Sequence, residues 1–409
     1  MNPEFFSIAD CITAFSGDPD AARQFYHQQK EHGLPRVNPT TGEATFLWLE
    51  QEDSTASAVH LRMNRISDKA QFARGLMHRI PGTTLWGITL ELPLDLRASY
   101  GFCPIHGEIP TTTPRPQHGL PPAFIDPANA TDTYLVKGLR GWSIYAGPQA
   151  PSQPQWGSAT RAATTGGPQP RLHTQVINYG DAQRTVYTYV PQDTSRPLPV
   201  VTLTDADAWF PRLGLHHALD RAIAHNDLPP IIVTGPECVS VADRQHILGP
   251  NQDTIDWLST TVLANAEAQA QRYATTLDHA HLILTGQSLG GMTTLATLLR
   301  ADHPYTHILA QSPSLWWSPE NTTSPAGWSQ RDTDWITEQL RQVAVPGGTP
   351  VTVTIGRQEG FGIGRVEKLV DVLNNRGWRT KLVYYNGGHD YAWWRGALFD
   401  QLRTILTSA

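Results

Sequence analysis

Hydrophobic and polar positions change rhythm once along this 409-residue chain, across residues 146–171. Before that point the apolar runs are short: ATFLWL (44–49), AVHLRM (58–63) and TLWGITLEL (84–92). In the last, Trp86, Ile88, Leu90 and Leu92 alternate strictly onto one face. LRASYGF (96–102) follows Pro93 and a short turn, which predicts a hairpin, and PDAARQFYHQQKEHG (19–33) carries helix signals. Together these predict an immunoglobulin-like β-sandwich domain with an N-terminal helix over residues 1–145. A Pro/Thr stretch at 109–122 reads as a loop inside it.

Residues 146–171 are dominated by Pro, Gly, Gln and Ser without any period, and predict a connector. Beyond it, strands are predicted at 173–179, 183–190, 198–203, 230–235, 281–286, 307–312, 350–356 and 380–385. Helical stretches separate the later ones. Two antiparallel-looking strands followed by strand–helix alternation predict a mostly parallel sheet covered on both faces, over residues 172–409.

Composition narrows the function classes. A net charge of −6 gives no case for nucleic acid or an anionic membrane surface as partner. Three cysteines, Cys11, Cys103 and Cys238, are odd in number and far apart, which argues against a disulfide framework. The sixteen histidines are scattered, and no His/Cys/Asp group has metal-ligand spacing. The N-terminus MNPEFFSIADCITAF lacks a basic region and an apolar run, and no stretch approaches a membrane span. These features predict a cytoplasmic protein. Thirteen tryptophans are many, and clusters of them often line pockets for flat ligands, although core packing accounts for a large share.

Candidate chemistry centres on Gly286-Gln287-Ser288-Leu289-Gly290, between the strand HLILT and the helix MTTLATLL. Five-residue patterns of this kind arise by chance. Strand, tight turn and helix in register make it the nucleophile elbow of an α/β-hydrolase, with Ser288 as nucleophile. The backbone N–H of Leu289 is then one oxyanion donor. A second is expected after the third strand, around Ala206 and Asp207. Serine needs a base, and His389 in NGGHD follows the last strand directly. Glu359, at the end of the preceding strand, is the candidate acid, with Asp371 and Asp390 as alternatives. Asp371 falls within a predicted helix, and Asp390 adjoins the base.

Several stretches together resemble the enterochelin (iron–enterobactin) esterase family: LTDADAW, ADRQHILGPN, GQSLGG, SPSLWW and GGHDYAWWRGAL. MHRIPGTTLWGITLEL, LRASYGFCP and IDPAN resemble that family's β-sandwich domain, so the resemblance runs from about residue 44 to the C-terminus. It implies hydrolysis of the trilactone of ferric catecholate siderophores in the cytoplasm, with Ser288, Glu359 and His389 as triad and the N-terminal domain as substrate-binding. It also implies no organic or metal cofactor, iron entering only with the substrate. Arg244, Arg395 and Arg97 are the implied cationic contacts to a complex whose phenolate oxygens outweigh the charge of Fe(III). Trp209, Trp316, Trp317 and Trp394 are the implied aromatic ones. The chain departs from the family pattern at Ala206 and Pro313, where glycines are usual, and in His246-Ile247-Leu248, which lacks the expected glutamate. Other acyl or feruloyl-type esters are the alternative substrates. A binding protein that only sequesters the siderophore is a further alternative, disfavoured by the Ser, Glu, His order.

Overall fold

A computed structural model describes residues 5–51, 55–109, 123–129, 133–136, 140–157, 171–343 and 348–407. The predicted Pro/Thr loop and most of the predicted connector lie outside these residues. Two compact units are present: residues 1–153 with Asn386–Trp393, and Pro154–Tyr385 with Trp394–Ala409. The division therefore falls inside the stretch read as a connector. It also assigns a short segment near the C-terminus to the first unit, which the sequence placed with the second.

The first unit contains strands β1 (Arg36–Val37), β2 (Glu43–Leu49), β3 (Ala58–Met63), β4 (His78–Arg79), β5 (Leu85–Glu91), β6 (Arg97–Ile105), β7 (Thr133–Val136) and β8 (Arg140–Ala146). They form two antiparallel sheets, β1-β2-β5-β4 and β3-β6-β8-β7. With β7 set aside as an edge addition, this is the immunoglobulin arrangement of first, second, fifth and fourth strands over third, sixth and last. Phe46, Trp86, Ile88 and Leu90 from one sheet share a core with Val59, Leu61, Tyr100, Phe102 and Tyr145 from the other. The opposite face of the first sheet is also buried. Leu47 and Leu85 pack with Cys11, Ala22, Phe25 and Tyr26 of two helices, Ile8–Phe15 and Pro19–His32.

Two sequence readings need correction here. The helix Ile8–Phe15 was not predicted, although Ser7 and Asp10 form a reciprocal capping box at its start. The expected hairpin of β5 and β6 is instead a crossover between sheets. Leu92 and Leu96 both point into the shared core, so the chain turns through the sandwich rather than back along one layer.

Buried polar groups brace the second sheet. Tyr100 donates to the Asp126 carboxylate at 2.8 Å, the Asp126 N–H donates to Ser143 Oγ, and Asn129 donates to the Tyr100 hydroxyl. Desolvation outweighs these bonds and raises the Asp126 pKa from 3.8 to about 6.

In the second unit, strands β9 (Arg171–Tyr179), β10 (Ala182–Val190), β11 (Leu198–Leu203), β12 (Ile232–Pro236), β13 (Leu277–Gln287), β14 (His307–Gln311), β15 (Val351–Gly356) and β16 (Thr380–Tyr385) form one sheet. Its order from the β9 edge is first, second, fourth, third, fifth, sixth, seventh, eighth. Only β9 and β10 run antiparallel to their neighbours. All eight predicted strands are present. The predicted helix across 254–277 is interrupted by a π-turn at Leu258–Val262, and the helix Val241–Ile247 was not predicted. Both faces of the central strands are buried, as their near-continuous apolar runs require. No helix among the described residues is long and apolar enough to cross a membrane.

Asp126 yields a pH prediction. An acid whose folded pKa is raised favours the native state while protonated and loses that advantage between the unfolded and folded values. Stability should fall by about 3 kcal/mol on this account as pH rises from about 4 to about 6. Urea unfolding of Asp126→Asn should show a flatter dependence over that window than the unsubstituted chain.

Candidate active site

β13 ends at Gln287, and the helix Leu289–Thr297 begins two residues later, leaving Ser288 alone in the turn. Its backbone is left-handed, with φ 59° and ψ −118°. A non-glycine residue held there signals stored strain, and active-site turns are where such strain is found. The turn closes only because its flanks lack side chains. A Cβ on Gly290 would lie 1.9 Å from Thr204 Oγ1, and one on Gly286 would lie 2.5 Å from the Gly290 carbonyl carbon. Backbone bonds clamp the serine: its N–H donates to the carbonyl of Gln311 at the end of β14, and its own carbonyl accepts from Ser314 beyond that strand and from Met292 in the following helix. Ser288 Oγ is 3.1 Å from Ser314 Oγ. Leu289 is the first helical residue, so its N–H has no acceptor within the helix.

After β11 the chain turns sharply at Asp205, φ 58°. This is the loop read as the second oxyanion element, and its acid groups organise it. The buried Asp205 carboxylate accepts from Arg244 Nε and Nη2 at 2.6 and 2.8 Å and from Gln287 Nε2 at 2.8 Å. Gln287 Oε1 accepts from the Trp209 indole at 3.1 Å. The variable residue of the elbow thus locks the loop to the nucleophile's turn. Asp207 accepts from the Cys238 N–H and from Arg212. Asp205, Asp207 and Cys238 bring ligand atoms within 4.8 Å of one another, which their sequence spacing did not indicate. Each carboxylate is already paired with an arginine, and burial pushes the Cys238 thiol well above its ordinary pKa. The group acts as loop scaffold.

Glu359, 8% exposed, sits in the turn after β15. Its Oε1 accepts from the Gly356 N–H at 3.1 Å and from Ser312 Oγ at 2.5 Å. Ser312 Oγ in turn accepts from the Trp394 indole at 2.9 Å. Ser312 follows Gln311, whose carbonyl holds Ser288, so Glu359 and Ser288 share one support. Of the alternative acids, Asp371 is exposed on the helix Gly362–Asn375. Asp390 is 3% exposed and already bound by the N–H groups of Ser99 and Ala392. His389 belongs to the first unit, where its main chain is bound by Asn64.

Several residues expected to contact substrate have partners within the protein. The Arg244 fork is taken by Asp205, and Arg244 Nη2 also donates to the Gln287 carbonyl. Arg395 is 3% exposed, with its guanidinium carbon 5.3 Å from the centroid of Trp156. Trp209 and Trp394 are 1% and 4% exposed, and their N–H groups serve Gln287 and Ser312. The reason is common to all four: a guanidinium or indole drawn wholly or, like Arg244, partly out of water needs a partner, and the frame supplies it. Trp316 and Trp317 are half-buried, and Trp317 packs edge-on against Trp335. In the first unit, Arg97 donates to the Pro151 carbonyl. Ser312, Ser314, Gln287 and Thr204 were not foreseen, because no local pattern marks a residue whose partner lies tens of positions away.

An elbow on the fifth strand of this sheet, beside a braced loop from the third, defines an esterase of the α/β-hydrolase class. Sequence comparison agrees. Residues 178–405 match the family described as putative esterase, and residues 43–156 match the N-terminal domain of enterochelin esterase. The iron(III) salmochelin esterase of Escherichia coli O6:H1 is 32% identical over 92% of this chain and 91% of its own length. The iron(III) enterobactin esterase of Escherichia coli K12 is 27% identical over 91% and 94%. Among solved structures, the enterobactin esterase of Shigella flexneri superposes with a TM-score of 0.76 at 23% identity, covering 94% of this chain and 98% of that one. The chain belongs to the enterochelin esterase family.

The loop bracing can be tested with Arg244→Met. Removing the cation takes the ion-pair partner from buried Asp205, at a cost of about 3–5 kcal/mol. Turnover of a neutral aryl acetate should fall at least about tenfold with KM nearly unchanged. A KM increase confined to an anionic ferric catecholate would return Arg244 to substrate contact. Gly290→Ala should lower the thermal midpoint and remove turnover of both substrates, since about 1–3 kcal/mol of overpacking falls on the elbow itself.

Proposed function

We propose that this enzyme hydrolyses the ester bonds of ferric catecholate siderophores, with Ser288, His389 and Glu359 as its triad. The observation carrying this reading is the 32% identity to an iron(III) salmochelin esterase across nearly the whole of both chains, with the elbow intact. In the proposed reaction, His389 takes the Ser288 proton as Oγ attacks an ester carbonyl. The developing oxyanion is met by the N–H of Leu289 and by the loop at Ala206 and Asp207. His389 then protonates the departing alkoxide, and water, activated by the same base, frees the acyl-enzyme. Glu359 orients the imidazole and stabilises its cation. The bonds to Glu359 Oε1 from Ser312 and Gly356 support this role, since they fix the carboxylate beside the strand end that also holds Ser288.

Opening a trilactone lowers the effective concentration of the catechols around Fe(III), so the metal is released more readily. Iron is cargo of the substrate, and the proposed mechanism uses no resident metal or organic cofactor. We place the reaction in the cytoplasm, where cleavage delivers iron for use. Arg97, Trp316 and Trp317 remain the candidates for contact with the anionic, aromatic ligand.

Incubation with ferric and iron-free enterobactin, followed by mass spectrometry, tests the reading. Linear trimer, dimer and monomer should appear with the unsubstituted chain and be reduced by at least about a thousandfold in rate with Ser288→Ala. Turnover of feruloyl or simple aryl esters without cleavage of any catecholate trilactone would replace this substrate class with the broader one.

A further inference from the structure

The segment that follows β16 folds as part of the first unit, and its bonds there are unusually complete. Asn64, directly after β3, grips the main chain of His389 with both ends of its side-chain amide. Its Oδ1 accepts the His389 N–H at 2.9 Å, and its Nδ2 donates to the His389 carbonyl at 3.3 Å. On either side, the Arg97 N–H donates to the Asn386 carbonyl, and the Ser99 N–H donates to Asp390 Oδ2 at 2.6 Å. The Trp393 indole closes back on the Gly388 carbonyl at 2.5 Å. Glycine is required where the clasp is tightest, since a Cβ on Gly388 would lie 2.3 Å from Asn64 Oδ1.

Asn64 is itself rigidly presented. Its N–H donates to the Ser99 carbonyl, Arg65 beyond it is left-handed with φ 61°, and the Arg65 N–H donates to Asp68 Oδ1 at 2.9 Å. Ile66 and Ser67 both return their N–H groups to the Met63 carbonyl. A side chain held this way confers its own precision on whatever it binds.

We propose that Asn64 is a positioning residue for His389, the base of the proposed triad. The proposal rests on the reading of His389 as base. A base displaced by about 1 Å loses on the order of a hundredfold in rate, whereas a purely structural asparagine would affect stability alone.

The test uses full-length Asn64→Ala and Asn64→Asp, with Ser288→Ala and His389→Ala alongside, on p-nitrophenyl acetate and on ferric enterobactin. Asn64→Ala should lower kcat about 10- to 100-fold on both substrates, with KM within about twofold. Asn64→Asp retains the acceptor for the His389 N–H and should recover much of that loss. Its added negative charge favours the imidazolium, so the acid limb of kcat/KM should move to higher pH by up to about one unit. A kcat for Asn64→Ala within twofold of the unsubstituted enzyme, while His389→Ala is inactive, overturns the clasp alone. So does an Asn64→Asp protein with an unmoved acid limb and no recovery. An active His389→Ala removes the base assignment and this inference with it.

Discussion

Everything in the catalytic unit depends on how closely β13 and its helix approach the end of β11. Ser288 holds a left-handed backbone because Gly286 and Gly290 let the turn close against Thr204, with no room for a methyl group on either. The same closeness brings Gln287 within reach of Asp205 and Trp209, so the turn that presents the nucleophile also anchors the loop proposed to meet the oxyanion. A strained turn persists only if its surroundings over-determine it. Here the bonds to Gln311 and Ser314 from the next strand complete that determination.

The buried polar groups around this turn explain why so many arginines and tryptophans are committed to the frame. An indole or guanidinium removed from water must recover its hydrogen bonds inside the protein. Trp209 finds Gln287, Trp394 finds Ser312, Arg244 finds Asp205, and Arg395 lies over Trp156. The Ser312 hydroxyl passes the Trp394 bond on to Glu359, so an aromatic residue remote in sequence determines the carboxylate's position. These expected substrate contacts thus also supply rigidity to the frame. Rigidity is what a site for acyl transfer needs, because the oxyanion donors must already be aimed before charge develops.

The first unit follows a different logic. Its sandwich rests on alternation and a shared apolar core, and its polar bonds include the Tyr100–Asp126 pair and those at the turn around Asn64. The second of these holds the segment that carries His389. The elbow was legible in the chain from its glycines and flanking elements, while His389 and Glu359 are candidates named from their places after the last strand and the one before.

Local pattern determined the eight strands of the second unit, their alternation with helices, the main strands of the first unit and the elbow around Ser288. Each of these is encoded over a few turns or a few alternating positions, where side-chain period and backbone preference act directly. Tertiary structure alone decided that β5 and β6 part company into different sheets and that Arg244 serves Asp205. It also decided that Ser312 links Trp394 to Glu359 and that the main chain of His389 is held by Asn64. The physical reason is the same in each case. A hydrogen bond or ion pair between residues tens to hundreds of positions apart depends on where folded strands end, and that distance has no signature in the order of the residues themselves.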